Sequence, residues 1–320
     1  MNILLTPGVY LPMQRAGSEI YLHKIAKYLQ SVGHDVRCIS HAPNGPYEYD
    51  GIRVYKYDKE NWQTDNNYLW GWADLVFTQL SGTPYSLNKM RIHKKKVINF
   101  AHNNGAYAQI PLRANIYTIY NCQNTAKELS YNHDSIVCAP PVFKEHYKDV
   151  DRTNAEYITL INHNENKGGR ILIEIAKQMP NHKFLAVQGG YYEQIYDRKV
   201  RNITYAPMVE DIRPYLAKTK ILIAPSEYES YGQAQVEAMC CGIPVIATKL
   251  KGFEESLQDA AYFIKDRNNI TAWCDSIMAI EADYQNCCNE SLKRVDLLTP
   301  EKDLENINIW LNKISNLAIK

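Results

Sequence analysis

The run Ile221-Leu222-Ile223-Ala224 is continuously apolar, the pattern of a strand covered on both faces. Pro225 and Ser226 end it, and Tyr231-Gly232-Gln233 opens a segment of good helix formers, Ala234 to Met239. Gly242, after Cys240-Cys241, is a C-terminal stop, and Pro244-Val245-Ile246-Ala247 reads as a second strand. Residues Ile221 to Thr248 therefore form a β-α-β unit, whose connection is right-handed. A buried parallel pair of this kind needs helices on the sheet faces, which commits the chain to the α/β class.

The same alternation runs through the rest of the chain. Strands are expected at Asn2 to Thr6, Val36 to Ile39, Ile52 to Tyr57, Leu75 to Phe77, Val97 to Phe100, Ile116 to Tyr120 and Ile136 to Cys138. Ser18 to Val32 reads as an amphipathic helix with Ile20, Tyr21, Ile25, Tyr28 and Leu29 on one side. Phe143 to Ala155 is polar and charged, and the linker is placed there. The alternation restarts with Tyr157 to Ile161, a helix at Gly169 to Gln178, and strands at Phe184 to Val187 and Ile203 to Tyr205. At 320 residues, two domains are expected.

A helix that starts at the carboxyl end of a parallel strand lies where open α/β sheets bind ligands. Its first turn offers free N–H groups and a positive dipole end, suited to a diphosphate. Glu229 lies just ahead of this helix and Glu237 about a turn inside it. A carboxylate accepts two hydroxyl hydrogen bonds, as a ribose diol or a hexose edge requires. Taken alone, two such acids would be a helix cap and a surface charge.

The wider pattern carries more. Pro225-Ser226, Glu229, Tyr231-Gly232, Glu237-Ala238-Met239 and Gly242-Ile243-Pro244-Val245 resemble the Glu-x7-Glu signature of family 4 retaining glycosyltransferases. The resemblance implies the GT-B architecture: two Rossmann-like domains facing a cleft, with a C-terminal helix crossing back to the first. The expected division is 1–148 for an acceptor-binding domain, 149–302 for a nucleotide-sugar domain and 303–320 for the crossing helix. It also implies that Glu237 holds the ribose hydroxyls and that Glu229 contacts the donor sugar. The backbone from Tyr231 through Gly232 and Gln233 to Ala234 would line the sugar and diphosphate. By the same resemblance, Gly17 at the start of the first helix approaches the donor, although Ala16 replaces the family's first glycine. His102, after the strand ending at Phe100, would stand near the reacting centre, and Lys167 would neutralise the diphosphate. The arginine that the family often pairs with this lysine is missing; Asn162 or His163 stands in its place.

Several readings are excluded or set aside. No Gly-x-Gly-x-x-Gly is present, which counts against a dehydrogenase. The eight cysteines contain no Cys-x-x-Cys and suggest neither a zinc site nor a disulfide framework. No metal and no cofactor is expected, the donor being a nucleotide-diphosphate sugar, a UDP-sugar in the first instance. Net charge is +1, no apolar run is long enough to span a bilayer, and no secretory signal opens the chain, so a cytoplasmic enzyme is expected. The basic run Arg91, His93, Lys94, Lys95, Lys96 is either a solvated helix end or a face for an anionic acceptor. A cell-envelope glycan or lipid-linked acceptor is the first expectation. Hydroxymethylated pyrimidine in viral DNA is the alternative, prompted by 24 Tyr against 6 Phe, a bias of AT-rich genomes. A non-catalytic scaffold binding sugar nucleotides, or a sugar-nucleotide epimerase, would share the architecture.

Overall fold

A computed structural model of the chain describes every residue except 62, 104, 106–114, 131–132 and 320. The chain divides into two compact units, Met1–Pro141 with Pro300–Lys320, and Val142–Thr299.

The first unit holds β1 (Asn2–Pro7), β2 (Asp35–Ser40), β3 (Tyr47–Tyr49), β4 (Ile52–Lys56), β5 (Leu75–Gln79), β6 (Lys96–Ala101), β7 (Ile116–Tyr120) and β8 (Ser135–Val137). Their order is β3-β4-β2-β1-β5-β6-β7-β8, parallel except for the β3–β4 hairpin. Every residue of β5, β6 and β7 is buried, as strands covered on both faces should be. The helices are α1 (Gly17–Ser31), α2 (Asn67–Trp72), α3 (Thr83–His93) and α4 (Gln123–Leu129). In α1 the buried side is Tyr21, Leu22, Ile25, Ala26 and Leu29, with Glu19. Ile20 and Tyr28, expected on that side, are only half-buried, because the stripe follows the Tyr21-Leu22 and Ile25-Ala26 pairs one turn apart.

The second unit holds β9 (Tyr157–Ile161), α5 (Gly169–Gln178), β10 (Lys183–Val187), β11 (Ile203–Ala206), α6 (Arg213–Leu216), β12 (Thr219–Ala224), α7 (Gln233–Cys240), β13 (Val245–Thr248), α8 (Lys251–Leu257), β14 (Ala261–Ile264), α9 (Ile270–Ala282) and α10 (Tyr284–Asp296). The sheet is fully parallel, in the order β11-β10-β9-β12-β13-β14. Ile158, Leu160, Phe184, Ile221, Ile223 and Trp273 share one core with the apolar side of α5. The polar stretch Phe143–Ala155 lies in this unit and is anchored by Arg152. Its guanidinium donates to Cys241 O at 3.0 Å, Gly242 O at 2.8 Å, Thr219 O at 3.2 Å and Tyr284 Oη at 2.6 Å.

The last helix, α11 (Pro300–Ser315), belongs to the first unit and buries Leu304, Ile307, Trp310, Leu311 and Ile314. Its carboxyl end is closed by the 4% exposed Lys96, whose Nζ donates to Ile314 O at 2.9 Å, Ser315 O at 2.8 Å and Leu317 O at 2.5 Å. Lys95 Nζ likewise reaches Ala73 O at 2.6 Å, and His93 Nε2 lies 3.1 Å from Asn67 Oδ1. The basic run is therefore not one anionic-ligand face. Its cations satisfy carbonyls that helix ends leave open, and Arg91 and Lys94 are its exposed members.

Candidate active site

Each sheet has a topological switch point, where successive connections leave in opposite directions and a crevice opens at the carboxyl ends of the strands. In the first unit it falls between β1 and β5, and in the second between β9 and β12. Apart from Glu237, which lies within α7, the residues singled out in the sequence lie on the loops and helix ends at these carboxyl edges.

In the second unit, the loop after β9 carries Lys167 and the loop after β12 carries Glu229. The structure joins them: Lys167 Nζ lies 2.7 Å from Glu229 Oε2. Several contacts hold the loops together. Glu227 N donates to Asn166 O across them at 2.8 Å, and within the first loop Lys167 N donates to Asn164 Oδ1 at 2.8 Å. Arg267 bridges both loops, through Glu227 Oε2 at 3.3 Å and Glu165 O at 3.2 Å. Gly168 has φ +91°, and a Cβ there would stand 2.4 Å from Pro225 Cγ, so the position needs glycine twice over.

Gly232, with φ +92°, is the N-cap of α7. A Cβ on it would meet Phe253 Cε1 at 2.6 Å. Tyr231 is buried, and its carbonyl accepts from Ser256 Oγ at 2.5 Å. Gln233 and Ala234 open α7 half-exposed, with the helix N-terminus between them and the loop. Glu237 stands apart from Glu229: its carboxylate accepts from Gln233 Nε2 at 2.7 Å and from the hydroxyl of Tyr147. Burial first, then the Glu237 charge, pushes the Tyr147 phenol well above its usual range.

Neither Asn162 nor His163 supplies the missing positive charge. His163 is 1% exposed, with Nδ1 2.8 Å from Ile195 O. A carbonyl only accepts, so Nδ1 carries the proton, and burial lowers the ring's pKa and keeps it neutral. Asn162 Oδ1 accepts from Gln194 Nε2 at 3.2 Å.

In the first unit, His102 follows β6 and its Nε2 lies 2.8 Å from Gln79 Oε1 at the end of β5. The amide oxygen accepts, so Nε2 bears the proton. Burial lowers the ring's pKa to about 4 even though part of the residue reaches solvent, so His102 is neutral at pH 7. Gly17 is the first residue of α1; its φ is not positive, and a Cβ there would meet nothing within 4 Å. Neither backbone nor packing requires glycine at that place. The structure gathers Lys167, Glu229, Tyr231, Gly232, Gln233, Ala234 and Glu237 in one unit, and Gly17 and His102 in the other.

Sequence reasoning missed the supports of this site. Gly252 in α8 lies so close that a Cβ would stand 2.4 Å from Glu229 O and 2.5 Å from Ser230 O. Phe253 and Ser256 complete that platform, and Tyr147, Gln79 and Arg267 were also not foreseen. The signal available was the glycine in Lys251-Gly252-Phe253, at the start of the helix that follows β13, which marks a close approach. Among the described residues, no group of three or more His, Cys, Asp or Glu side chains is placed to hold a metal ion, and no helix is long and apolar enough to cross a membrane. All eight cysteines are free thiols, six of them buried.

Residues 157–283 match the family described as Glycosyl transferases group 1. An uncharacterised glycosyltransferase of Methanocaldococcus jannaschii is 29% identical over 110 residues, 32% of this chain and 31% of that protein. The O-antigen chain mannosyltransferase B of Escherichia coli is 36% identical over 74 residues, 23% of this chain and 19% of that protein. The aligned region thus spans a third or less of these relatives. Among solved structures, Anabaena HepE in complex with UDP-glucose superimposes with a TM-score of 0.79 at 15% identity, covering 98% of this chain and 100% of that one. The chain therefore has the GT-B fold, and most of its second unit matches the group 1 glycosyltransferases.

Proposed function

We propose that the protein is a retaining glycosyltransferase that moves a sugar from a UDP-sugar to a hydroxyl of a cell-envelope glycan or its lipid-linked precursor. The observation that carries this reading is the β9/β12 crevice. There Lys167 and Glu229 pair across two adjoining loops, beside the N-terminus of α7, which carries the second carboxylate, Glu237. Lys167 and the N–H groups of Gly232 to Ala234 stabilise the departing diphosphate. Glu237 accepts the ribose hydroxyls, and Glu229 accepts those of the donor sugar. His102, neutral, positions the sugar, and Gly17 admits the donor without a side chain in the way. The first unit binds the acceptor and the second the nucleotide sugar. The bond from the anomeric carbon to the acceptor oxygen forms on the face from which the phosphate leaves. The acceptor proton passes to the departing phosphate oxygen, and no side chain is assigned as nucleophile. Metal-independent transfer in the cytoplasm goes with this reading.

The UDP-glucose complex of HepE supports the donor class, and the E. coli O-antigen mannosyltransferase supports an envelope acceptor. Lys95 and Lys96 are engaged by backbone carbonyls, which removes much of the basic face that a DNA acceptor would use. The test is a donor panel with the purified protein, following nucleoside diphosphate release with envelope-glycan acceptors and with duplex DNA containing hydroxymethylated cytosine. UDP release stimulated by a glycan, with the product keeping the donor's anomeric configuration by NMR, is the expected result. Release stimulated only by the DNA would replace the acceptor, inversion would refute the retaining assignment, and nucleotide binding with no release from any donor would favour a scaffold.

A further inference from the structure

Lys167 and Glu229 are the opposed charges of the β9/β12 crevice, and each neutralises the other at 2.7 Å, with side chains only 29% and 19% exposed. The second oxygen of Glu229 accepts the N–H of Ser230 at 3.1 Å. Both side chains leave from anchored backbone. Lys167 N is held by Asn164 Oδ1, Gly168 abuts Pro225, and the Glu229 and Ser230 backbone lies against Gly252. A diphosphate that reaches Lys167 brings its negative charge against the Glu229 carboxylate, so the two anions compete for one cation.

Resting on the donor site proposed above, we propose that Glu229 competes with the donor diphosphate for Lys167, so that the pair acts as a gate on nucleotide affinity. A nucleoside diphosphate that takes Lys167 leaves Glu229 a largely desolvated carboxylate with little compensation, which is costly. A nucleotide sugar replaces both halves of the pair: phosphate oxygens go to Lys167 and sugar hydroxyls to Glu229. The pair thereby favours donor over spent nucleotide and speeds product release. Glu229 then restrains the nucleotide half of the donor as well as recognising the sugar.

The experiment is titration calorimetry of the full chain with UDP, and with ADP, GDP and CDP in parallel, on the wild type, Glu229→Gln, Lys167→Met and the double variant, each checked for folding by circular dichroism. Glu229→Gln is expected to bind UDP roughly two- to fivefold more tightly than the wild type, the range set by a partly exposed ion pair. Lys167→Met is expected to bind it more weakly, and in the double variant the gain is expected to vanish. Wild-type binding with no gain in Glu229→Gln, or a gain that survives Lys167→Met, would overturn the competition while leaving the donor site intact. Absence of binding to all four nucleotides by every folded variant would overturn the donor site and the gate together.

Discussion

Replacing Gly232 by alanine tests whether the site is held by backbone geometry or merely tolerates it. The residue has φ +92°, and a methyl group would sit 2.6 Å from Phe253 Cε1, 2.8 Å from Phe253 Cδ1 and 3.1 Å from Gln235 Oε1. A left-handed conformation costs an L-residue about 1–2 kcal/mol. Phe253 is fully buried and cannot swing into solvent, so the overlap adds the cost of overpacking, about 1–3 kcal/mol. The sum is a loss of about 2–5 kcal/mol, a large share of a domain's net stability. Gly17→Ala is the matched control: with neither a positive φ nor a neighbour within 4 Å, it should stay within about 0.5 kcal/mol of the wild type. Urea unfolding measures both, and hydrogen exchange assigns the loss to peptides covering α7 and α8. A Gly232→Ala protein within about 0.5 kcal/mol of the wild type would refute the argument, because neither strain nor overlap could then be real.

Three other outcomes are expected. Lys96→Met leaves three carbonyls at the end of α11 without their donor, and should cost about 2–3 kcal/mol and open the C-terminal segment to limited proteolysis; unchanged cleavage would show that the helix is held by its apolar face alone. Arg152→Lys cannot span Cys241, Gly242, Thr219 and Tyr284 with one ammonium, so a loss of about 2–4 kcal/mol in denaturant unfolding is expected despite the retained charge. His102 has its pKa lowered from 6.5 to about 4, so the unfolded chain binds more protons between those values. Its contribution to stability is complete above pH 6.5, declines as the pH falls toward 4 and levels off below. Comparing the wild type with His102→Gln over that window should reveal a difference of up to about 3 kcal/mol, and parallel stability curves would contradict it.

The β12–α7–β13 unit was legible because all its determinants are local: an apolar run of strand length, a glycine before the helix and Gly242 after it, where φ is +68°. α5 appeared at its observed limits, Gly169–Gln178, for the same reason. The short β3 and α2 were not foreseen, since three and six residues are too few to show a period.

Charged and polar partners separated by long stretches of chain could not be read in this way. Lys96 looks like one more cation in a basic run until α11, more than two hundred residues later, brings its carbonyls to it. His163 occupies the place of an expected phosphate ligand, yet Ile195, thirty-two residues on, fixes its tautomer and burial removes its charge. Lys167 and Glu229 were each marked as site residues, but their mutual neutralisation depends on two loops meeting across adjacent strands. Residue type and local pattern specify which groups are available and on which element they ride. Pairing, burial and protonation depend on distance and dielectric, and those exist only once the sheet has brought its strand ends together.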